Sequence, residues 1–378
     1  MAKGIICMSE FLEVIVKDLD YEYTTIAAEG KSSAEFSGTI DTGSFILNAI
    51  LSGSLYGGVA NNKITAFAGE SSTGKTFFVL GVVKQFLMDH EHGGVIYFDT
   101  ESAVTNEIMQ VRGIDTTRIV KSEPDTIQKF RHNAIQILDN YIAQDEEERK
   151  PLLMVLDSLG QLSSTKEIED TAKGEETRDM TKAQILKATF RVLNLKLAKA
   201  AVPLLVCNHV YDVVGSYFPQ KEMSGGSGLK YSASTILHLS KKKERDNGEV
   251  VGNVIKVRTE KSRLTKENQL IECLLTYEKG LDRYYGLTEL GVETGVFKKV
   301  SNRIELPTGE KVYAKVMYSD PSKYFSSEIM DALDKKAKEK FCYGIGEGEQ
   351  KREEKPKPKT KSEEELAETI ALIDNEVE

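Results

Sequence analysis

The segment Gly69-Glu70-Ser71-Ser72-Thr73-Gly74-Lys75-Thr76 decides how this chain folds, because it forms a complete phosphate-binding loop. Its pattern is a glycine, four residues and then Gly-Lys-Thr, in which backbone N–H groups surround a β-phosphate. The Lys75 ammonium adds charge at the β- and γ-phosphates, and the Thr76 hydroxyl ligates Mg²⁺. Residues 63–68 predict a buried strand entering the loop, and residues 77–88 predict a helix leaving it. The loop therefore predicts a site for ATP and Mg²⁺.

The composition is ordinary for a soluble globular protein, with 40% hydrophobic and 29% charged residues in 378. The four cysteines have no CxxC spacing, which argues against a zinc site or a disulfide framework and favours a reducing cytoplasm. No apolar run approaches the about 18 residues of a membrane span. The acidic residues within the first apolar stretch do not fit a signal peptide. A net charge of −9 does not favour nucleic-acid binding, so any DNA contact is expected from local basic loops.

Strands and helices alternate from about residue 41 to residue 281, and the strands are continuous apolar runs rather than alternating ones. This pattern predicts an α/β fold with a mainly parallel sheet covered by helices on both faces. We assign this core, with its phosphate loop, to residues 39–282. The six candidate strands are residues 64–68, 95–99, 152–157, 204–208, 236–239 and 254–259.

Residues 1–38 predict a short amphipathic helix followed by a polar linker, with Phe11, Leu12 and Ile15 on the apolar side of the helix. Such a helix cannot bury its apolar side alone. It either packs back on the core or docks on a neighbouring subunit.

The pattern changes after the core. Residues 283–343 predict a small α+β domain with two helices and short strands. Residues 344–378 are rich in Gly, Glu, Lys and Pro and predict a disordered tail with an acidic end. Apolar residues at helical spacing near the end leave a partner-binding helix as the alternative to an inert tail.

Three of the predicted strands end in polar residues that suit nucleotide chemistry. Asp157 ends an apolar strand about 80 residues after the phosphate loop and is predicted to support Mg²⁺. Glu101 follows another strand and is predicted to polarise a water in line with the γ-phosphate. His209 follows a third strand and precedes a long loop, so we predict a γ-phosphate sensor there.

Two long loops are candidates for contact with single-stranded DNA. Residues 171–180 form the first loop and contain Arg178. Residues 210–226 form the second loop, in which two adjacent aromatic residues lie near a basic residue and two adjacent glycines follow. Aromatic residues beside a basic residue suit base stacking, and basic residues on the helix between the loops suit phosphate contacts. The candidate residues are Tyr217, Phe218, Lys221, Gly225 and Gly226 in the second loop and Lys182, Lys187 and Arg191 on the helix, the last two on one helix face.

The motifs GESSTGKT at 69–76, FDTES at 98–102, VLDSL at 155–159, CNH at 207–209 and SGGSGLKYSAS at 224–234 occur in the order typical of one family. Over about residues 40–341, the chain resembles the RecA/RadA-type homologous recombinases, and most of all the UvsX-type recombinases of tailed bacteriophages. The resemblance implies a RecA-like fold and places the catalytic glutamate at Glu101 and the second metal-site acid at Asp157. The γ-phosphate sensor, a glutamine in bacterial members, falls on His209.

The same resemblance implies a filament with ATP between protomers. Lys261 and Arg263 match a basic pair that reaches the ATP of the neighbouring protomer, and the N-terminal helix docks on the adjacent subunit. The implied activity is a DNA-dependent ATPase that forms helical filaments on single-stranded DNA and catalyses strand exchange with duplex DNA. A single-strand-binding protein and a loading mediator are the implied further partners, in the cytoplasm of a bacterial host if the chain is phage-encoded.

Two other functions share the predicted core. A ring-forming helicase normally carries a sizeable extra N-terminal domain, whereas only about 60 residues precede the phosphate loop here. An ATP-gated structural assembly protein would polymerise without DNA-stimulated hydrolysis, and the aromatic and glycine residues of the second loop argue against it.

Overall fold

The structure, a computed structural model, describes residues 11–12, 38–175, 181–212, 221–246 and 249–344. Its strands, in chain order, are β1 (Thr39–Ile40), β2 (Val59–Ala60), β3 (Ile64–Gly69), β4 (Gly94–Asp99), β5 (Ile119–Ser122), β6 (Leu152–Asp157), β7 (Leu204–Asp212), β8 (Lys221–Met223), β9 (Thr235–Asp246), β10 (Glu249–Ser262), β11 (Leu270–Thr276), β12 (Gly280–Leu281), β13 (Lys298–Val300), β14 (Arg303–Glu305) and β15 (Lys311–Val312).

The central sheet has the order β12-β11-β10-β9-β3-β7-β6-β4-β5, and β8 pairs with β7. The six neighbours from β9 to β5 run parallel, so the predicted mainly parallel sheet is confirmed. The predicted strand at 254–259 lies within β10 and is not one of the parallel strands, because β10 is antiparallel to both β9 and β11. Only two residues separate β9 from β10, whereas a parallel crossover needs a dozen or more. An apolar run alone does not reveal strand direction.

Helices cover both faces of the sheet. They are α1 (Phe45–Ser52), α2 (Lys75–Asp89), α3 (Asn106–Val111), α4 (Ile127–Ile142), α5 (Thr165–Ala172), α6 (Lys182–Ala200), α7 (Ser227–Ser232), α8 (Leu287–Glu293), α9 (Ala314–Ser319), α10 (Pro321–Tyr324) and α11 (Ser327–Phe341). Several begin where a polar side chain accepts a backbone N–H. Thr126 caps α4, and Ser164 with Glu167 forms a reciprocal capping box at α5.

The side chains of β3 point alternately into two separate cores, as those of a buried strand must. Phe67 belongs to the core that includes the apolar side of α2. Ala66 and Ala68 belong to the core formed with α4 and α6. Because the side chains of β3 are buried on both faces of the sheet, packing fixes the position of its carboxyl end. The phosphate loop begins at that end.

The segment from α8 to α11 lies in the same compact unit as the core. It contains a small antiparallel sheet in the order β13-β14-β15. Asp334 of α11 joins this segment to the core, because its Oδ1 accepts from Ser54 Oγ at 2.6 Å and from Leu55 N at 2.7 Å. The second unit is Gly344–Glu378, of which only Gly344 lies among the described residues.

Some predictions fall outside the described residues. These include most of the N-terminal segment with Ile15, the loop residues Arg178, Tyr217 and Phe218, and the tail after residue 344. Phe11 and Leu12 are described as helical, with exposed fractions of 72% and 47%. Among the residues that the structure describes, no helix is both long enough and apolar enough to cross a membrane.

Candidate functional site

The phosphate loop joins β3 directly to α2, as the sequence predicts. Gly74 has a φ of 92°, a backbone conformation that residues with a side chain rarely adopt, so glycine suits this position. Lys75 is almost fully buried, and burial lowers the pKa of its ammonium. Its Nζ donates to the carbonyl oxygens of Gly69 at 3.1 Å and Glu70 at 2.9 Å. The amino end of the fifteen-residue helix α2 and this ammonium together favour an anion at the loop.

Asp157 lies beside the loop at the end of β6, buried and in contact with two hydroxyl groups. Tyr97 Oη donates to Asp157 Oδ2 at 2.8 Å. Burial raises the pKa of the Asp157 carboxyl, against the effect of hydrogen bonds from Thr76 and Tyr97. Magnesium is usually held by one or two protein groups together with substrate phosphates and waters. The Thr76 hydroxyl beside the Asp157 carboxylate fits that requirement, so these two residues can hold Mg²⁺ with a nucleotide.

Asp99 and Asp157 face each other on the neighbouring strands β4 and β6. The two aspartates nevertheless have different surroundings. Asp99 accepts backbone N–H groups of Ala103 and Val104 and lies 3.2 Å from the Lys121 ammonium. Asp99 therefore shapes the turn after β4, and this turn carries Glu101.

The structure brings Glu101 and His209 into direct contact, although 108 residues separate them in the chain. His209 Nε2 lies 2.9 Å from Glu101 Oε1, and Ser158 Oγ donates to the same oxygen at 2.7 Å. Burial alone would raise the pKa of Glu101, but the hydrogen bonds from His209 and Ser158 outweigh it and hold the pKa below its usual range. Glu101 is therefore ionised, and its contact with His209 joins the turn after β4 to β7.

This cluster is adjacent to the phosphate loop because of strand order. His209 pairs with Gly69 across β7 and β3. Thr100 N donates to the Asp157 carbonyl at 2.8 Å, which joins the ends of β4 and β6. The ends of four neighbouring strands thus meet at one edge of the sheet, where ligands bind in open parallel sheets.

Ser158 is a site residue that the sequence analysis did not single out. Its only sequence signal is its position directly after Asp157 at a strand end. Its contact with Glu101 depends on β4 and β6 being neighbours, and strand order is not visible in a local pattern.

The far end of the second loop is held to the nucleotide site at two points. Ser224 N donates to the His209 carbonyl at 2.9 Å, and Asn208 Nδ2 donates to the Ser224 carbonyl at 2.9 Å. Lys221 forms an ion pair with Glu70 of the phosphate loop. This pair lowers the pKa of Glu70 and raises that of Lys221.

The glycine pair at the end of this loop has left-handed backbone conformations. The φ angles are 82° at Gly225 and 72° at Gly226. A Cβ on Gly225 would also lie 2.9 Å from Leu186 Cδ1. Residues that have a side chain rarely adopt these backbone angles. The sharp turn from the loop into α7 therefore requires glycine at these positions.

The predicted basic residues of α6 have different surroundings. Lys182 Nζ donates to Glu167 Oε2 at 2.9 Å and so joins α6 to the capping box of α5. Lys187 lies over the Tyr231 ring, with 5.7 Å from Nζ to the ring centroid. Arg191 is exposed. Phosphate contacts by these residues remain a prediction.

Lys261 and Arg263 lie at the opposite end of the sheet from their own phosphate loop. They flank the residue of β10 that pairs with Thr235, and Thr235 pairs with Thr65 near the start of β3. Gly69, four residues along the strand, is about 13 Å away at the usual strand rise. The two cations thus lie near the amino end of β3, whereas the loop follows its carboxyl end.

A phosphate loop after a buried strand, with acids at the ends of neighbouring strands, defines a nucleotide-binding protein of the P-loop class. The RecA N-terminal domain model matches residues 9–282. Because this match covers most of the chain, the chain belongs to the RecA family, and the predicted family and RecA-like fold are confirmed.

Individual relatives agree with the family match. The recombination and repair protein of Enterobacteria phage T4 is 28% identical over 257 residues, which are 68% of this chain and 64% of that protein. Protein RecA of Cereibacter sphaeroides is 29% identical over 252 residues, 64% of this chain and 68% of the relative. Protein RecA of Paenarthrobacter aurescens is 26% identical over 318 residues, 81% of this chain and 84% of the relative. The chain thus spans just under two thirds of the phage T4 protein.

One solved structure is also similar. The crystal structure of the RadB recombinase has a TM-score of 0.47 and 21% sequence identity, and the match covers 65% of this chain and 99% of that one.

Proposed function

We propose that this chain is a DNA-dependent ATPase that forms helical filaments on single-stranded DNA and catalyses homologous pairing and strand exchange. The processes served would be recombination, repair and recombination-dependent replication. One observation carries the proposal most: Glu101 and His209 touch beside the phosphate loop, and the His209 carbonyl also binds Ser224 at the end of the second loop. Family membership and the name of the phage T4 relative support the same function.

The nucleotide in this proposal is ATP with Mg²⁺. The N–H groups of the phosphate loop and Lys75 bind its phosphates, while Thr76 and Asp157 hold the ion. When bound, Mg²⁺ neutralises charge that develops on the β- and γ-phosphates. Glu101, ionised and anchored by Ser158, orients the attacking water.

His209 is the proposed sensor of the γ-phosphate. A ligand changes a conformational equilibrium only by contacts that differ between the two states. A γ-phosphate competes with Glu101 for the His209 ring, and hydrolysis removes that competitor. Because Ser224 binds the His209 carbonyl, a shift of this residue reaches the second loop directly.

The ATP site is completed by a second protomer in this proposal. Lys261 and Arg263 lie at the far end of the sheet from their own loop, so they act on the nucleotide of a neighbour. Such an interface is heterologous and builds an open helical filament when its rotation does not close. The exposed side chains of Phe11 and Leu12, with Ile15, are the proposed docking contacts between neighbours.

A mixing experiment tests this trans arrangement. Glu101→Gln and Lys261→Ala should each almost abolish ATP hydrolysis alone, while Glu101→Gln keeps nucleotide binding. In an equimolar mixture, about a quarter of the interfaces in a randomly assembled heterologous filament combine an intact Glu101 with an intact Lys261. Turnover should recover to about that fraction of the unaltered level. An inactive mixture that still forms mixed filaments would contradict action in trans.

Single-stranded DNA is proposed to bind along both loops and α6. The residues involved are Arg178, Lys182, Arg191, Tyr217, Phe218, Lys221, Gly225 and Gly226. In the C-terminal segment, Lys298, Lys299, Arg303 and Lys311 are proposed to guide duplex DNA. A single-strand-binding protein, a loading mediator and a host bacterial cytoplasm complete the proposal.

Replacing Phe218 with alanine should impair strand exchange while ATP binding stays intact. Stacking of one base on an aromatic ring contributes about 1–3 kcal/mol, so binding of single-stranded DNA should weaken about fivefold to a hundredfold. Joint-molecule formation and nucleotide affinity are measured together, with Tyr343→Ala as an exposed aromatic control. Strand exchange at the unaltered rate would refute the role given to the loop.

The experiment that tests the function measures ATP hydrolysis with and without single-stranded DNA, with electron microscopy of the same mixtures. Stimulated turnover with extended helical filaments supports the proposal. Stimulated turnover on closed rings would indicate a helicase. Filaments whose turnover ignores DNA would indicate a structural ATPase.

A further inference from the structure

Glu260 occupies a β-bulge near the end of β10. The register between β10 and β9 shifts between Thr259 and Lys261, which leaves Glu260 without a residue opposite it. Bulges re-aim a side chain and are common beside functional sites. Here the bulge places the Glu260 carboxylate between Lys230 of α7 and His238 of β9.

Both oxygens of this carboxylate are occupied. Lys230 Nζ donates to Oε1 at 2.7 Å, and His238 Nε2 contacts Oε2. The Glu260 side chain is 21% exposed. Hydrogen bonding from His238, partly opposed by burial and reinforced by Lys230, lowers the pKa of Glu260 to about 2. A charged pair in this position is screened less by solvent than an exposed one.

Lys261, the residue after Glu260, also contacts the carboxyl end of α7. Lys261 Nζ donates to the carbonyl oxygens of Lys230 at 2.7 Å and Tyr231 at 3.0 Å. Arg263 Nη2 donates to the Tyr231 carbonyl at 3.3 Å. The side chains of Lys261 and Arg263, which are proposed to act in trans, therefore hydrogen-bond to the same helix as the Glu260 carboxylate does.

The helix α7 is also the direct continuation of the second loop. It begins at Ser227, immediately after Gly225 and Gly226. A Cβ on Gly228 would lie 2.8 Å from the Lys187 backbone, so α7 packs closely on α6. No residue separates the glycine pair from the helix, so the described end of the second loop continues directly into α7.

The second partner of Glu260 faces the chain's own phosphate loop. His238 lines a cavity of about 450 Å³ together with Glu70 and Thr73. On the neighbouring strand, His238 pairs with Ala68, one residue before the phosphate loop begins. Glu260 is thus joined through one oxygen to α7 and through the other to a strand beside the nucleotide loop.

We propose that Glu260 is a positioning residue that ties α7 to the end of β10, so that ordering of the second loop by DNA sets the position of Lys261 and Arg263. This inference rests on the proposed function, because it assigns the route by which DNA stimulates hydrolysis. The carboxylate acts through its contacts with Lys230 and His238. It fixes the spacing between the helix that follows the DNA loop and the strand that carries the two cations.

The test compares Glu260→Gln with Glu272→Gln in the full-length chain. Glu272 is a matched control, because it lies on the adjacent strand β11 in a looser pair with Lys256, at 3.8 Å. ATP hydrolysis is measured with and without single-stranded DNA. We expect Glu260→Gln to lower the ratio of the two rates about tenfold, within the usual range of coupling between two sites. The DNA-free rate and the Tm should stay close to those of the control.

A double-mutant cycle of Glu260→Gln with Lys230→Gln tests whether the ion pair between these two residues carries the effect on DNA stimulation. If the ion pair carries the effect, the double variant should have the same ratio as either single variant. If Glu260→Gln unfolds the chain, Glu260→Asp, which keeps the charge but shortens the reach, should show the lowered ratio instead.

The other outcomes would overturn either the positioning role of Glu260 or the proposed function. A DNA-stimulation ratio for Glu260→Gln within twofold of the control overturns the positioning role, and so does an equal fall in the DNA-free and DNA-dependent rates. Absence of stimulation in the unaltered chain overturns the proposed function, and this inference with it. Stimulation of the unaltered chain together with an undiminished ratio in Glu260→Gln overturns the inference alone.

Discussion

Replacing Glu101 with glutamine should slow ATP hydrolysis by about a hundredfold to ten-thousandfold, the usual contribution of a positioned general base. Glutamine has the same shape and can still bind Ser158, but it is neutral and cannot take up a proton from water. The lowered pKa of Glu101 means that the ionised base is the resting form at neutral pH. The measurement is the steady-state rate of ATP hydrolysis with saturating single-stranded DNA.

The same variant should keep ATP-dependent DNA binding, because the residues that bind the phosphates are untouched. Glu147→Gln is a suitable control, since Glu147 is exposed in the connection that leads into the amino end of β6. Near-normal turnover in Glu101→Gln would remove Glu101 from the catalytic role. Loss of DNA binding together with turnover would show that Glu101 acts in assembly.

Replacing Lys75 with alanine should reduce ATP turnover by more than about a hundredfold, because one fixed charge at the transferring phosphate is lost. Unlike Glu101→Gln, this variant should also lose nucleotide binding and, with it, nucleotide-dependent filaments on DNA. Nucleotide affinity and filament formation are therefore the measurements that separate the two variants.

Folding of the Lys75 variant needs its own control. The ammonium donates to the carbonyls of Gly69 and Glu70, and removing a buried donor costs about 1–3 kcal/mol. Lys84→Ala on the same helix shows the effect of a lysine that is remote from the loop. If Lys75→Ala hydrolyses ATP as fast as Lys84→Ala does, the loop is not the nucleotide site.

The sequence predicts the centre of the fold well, because the phosphate loop and the buried strands are local patterns. All six candidate strands are present, and the loop lies between β3 and α2. The direction of β10 was missed, because an apolar run such as residues 254–259 is the same in either direction. The predicted strands 236–239 and 254–259 were also too short, and only in the structure do β9 and β10 come within two residues of each other, too few for a parallel crossover.

The candidate site was predicted residue by residue but not as an arrangement. Glu101, Asp157 and His209 were each recognised at a strand end. Their contacts follow from the order β3-β7-β6-β4, which long-range packing decides. The role of Ser158 and the engagement of Lys182 by Glu167 were missed for the same reason. A bulge such as that at Glu260 leaves no mark in a single sequence.

The central claim is homologous strand exchange, and the most direct measurement is joint-molecule formation between circular single-stranded DNA and a linear duplex. The reaction is run with ATP, with homologous or heterologous duplex, and with the Lys75→Ala variant as the inactive control. The account predicts joint molecules only with the homologous duplex and only when ATP can be bound. Unwinding of both duplexes regardless of homology, or no joint molecules from a chain that forms ATP-dependent filaments, would contradict it.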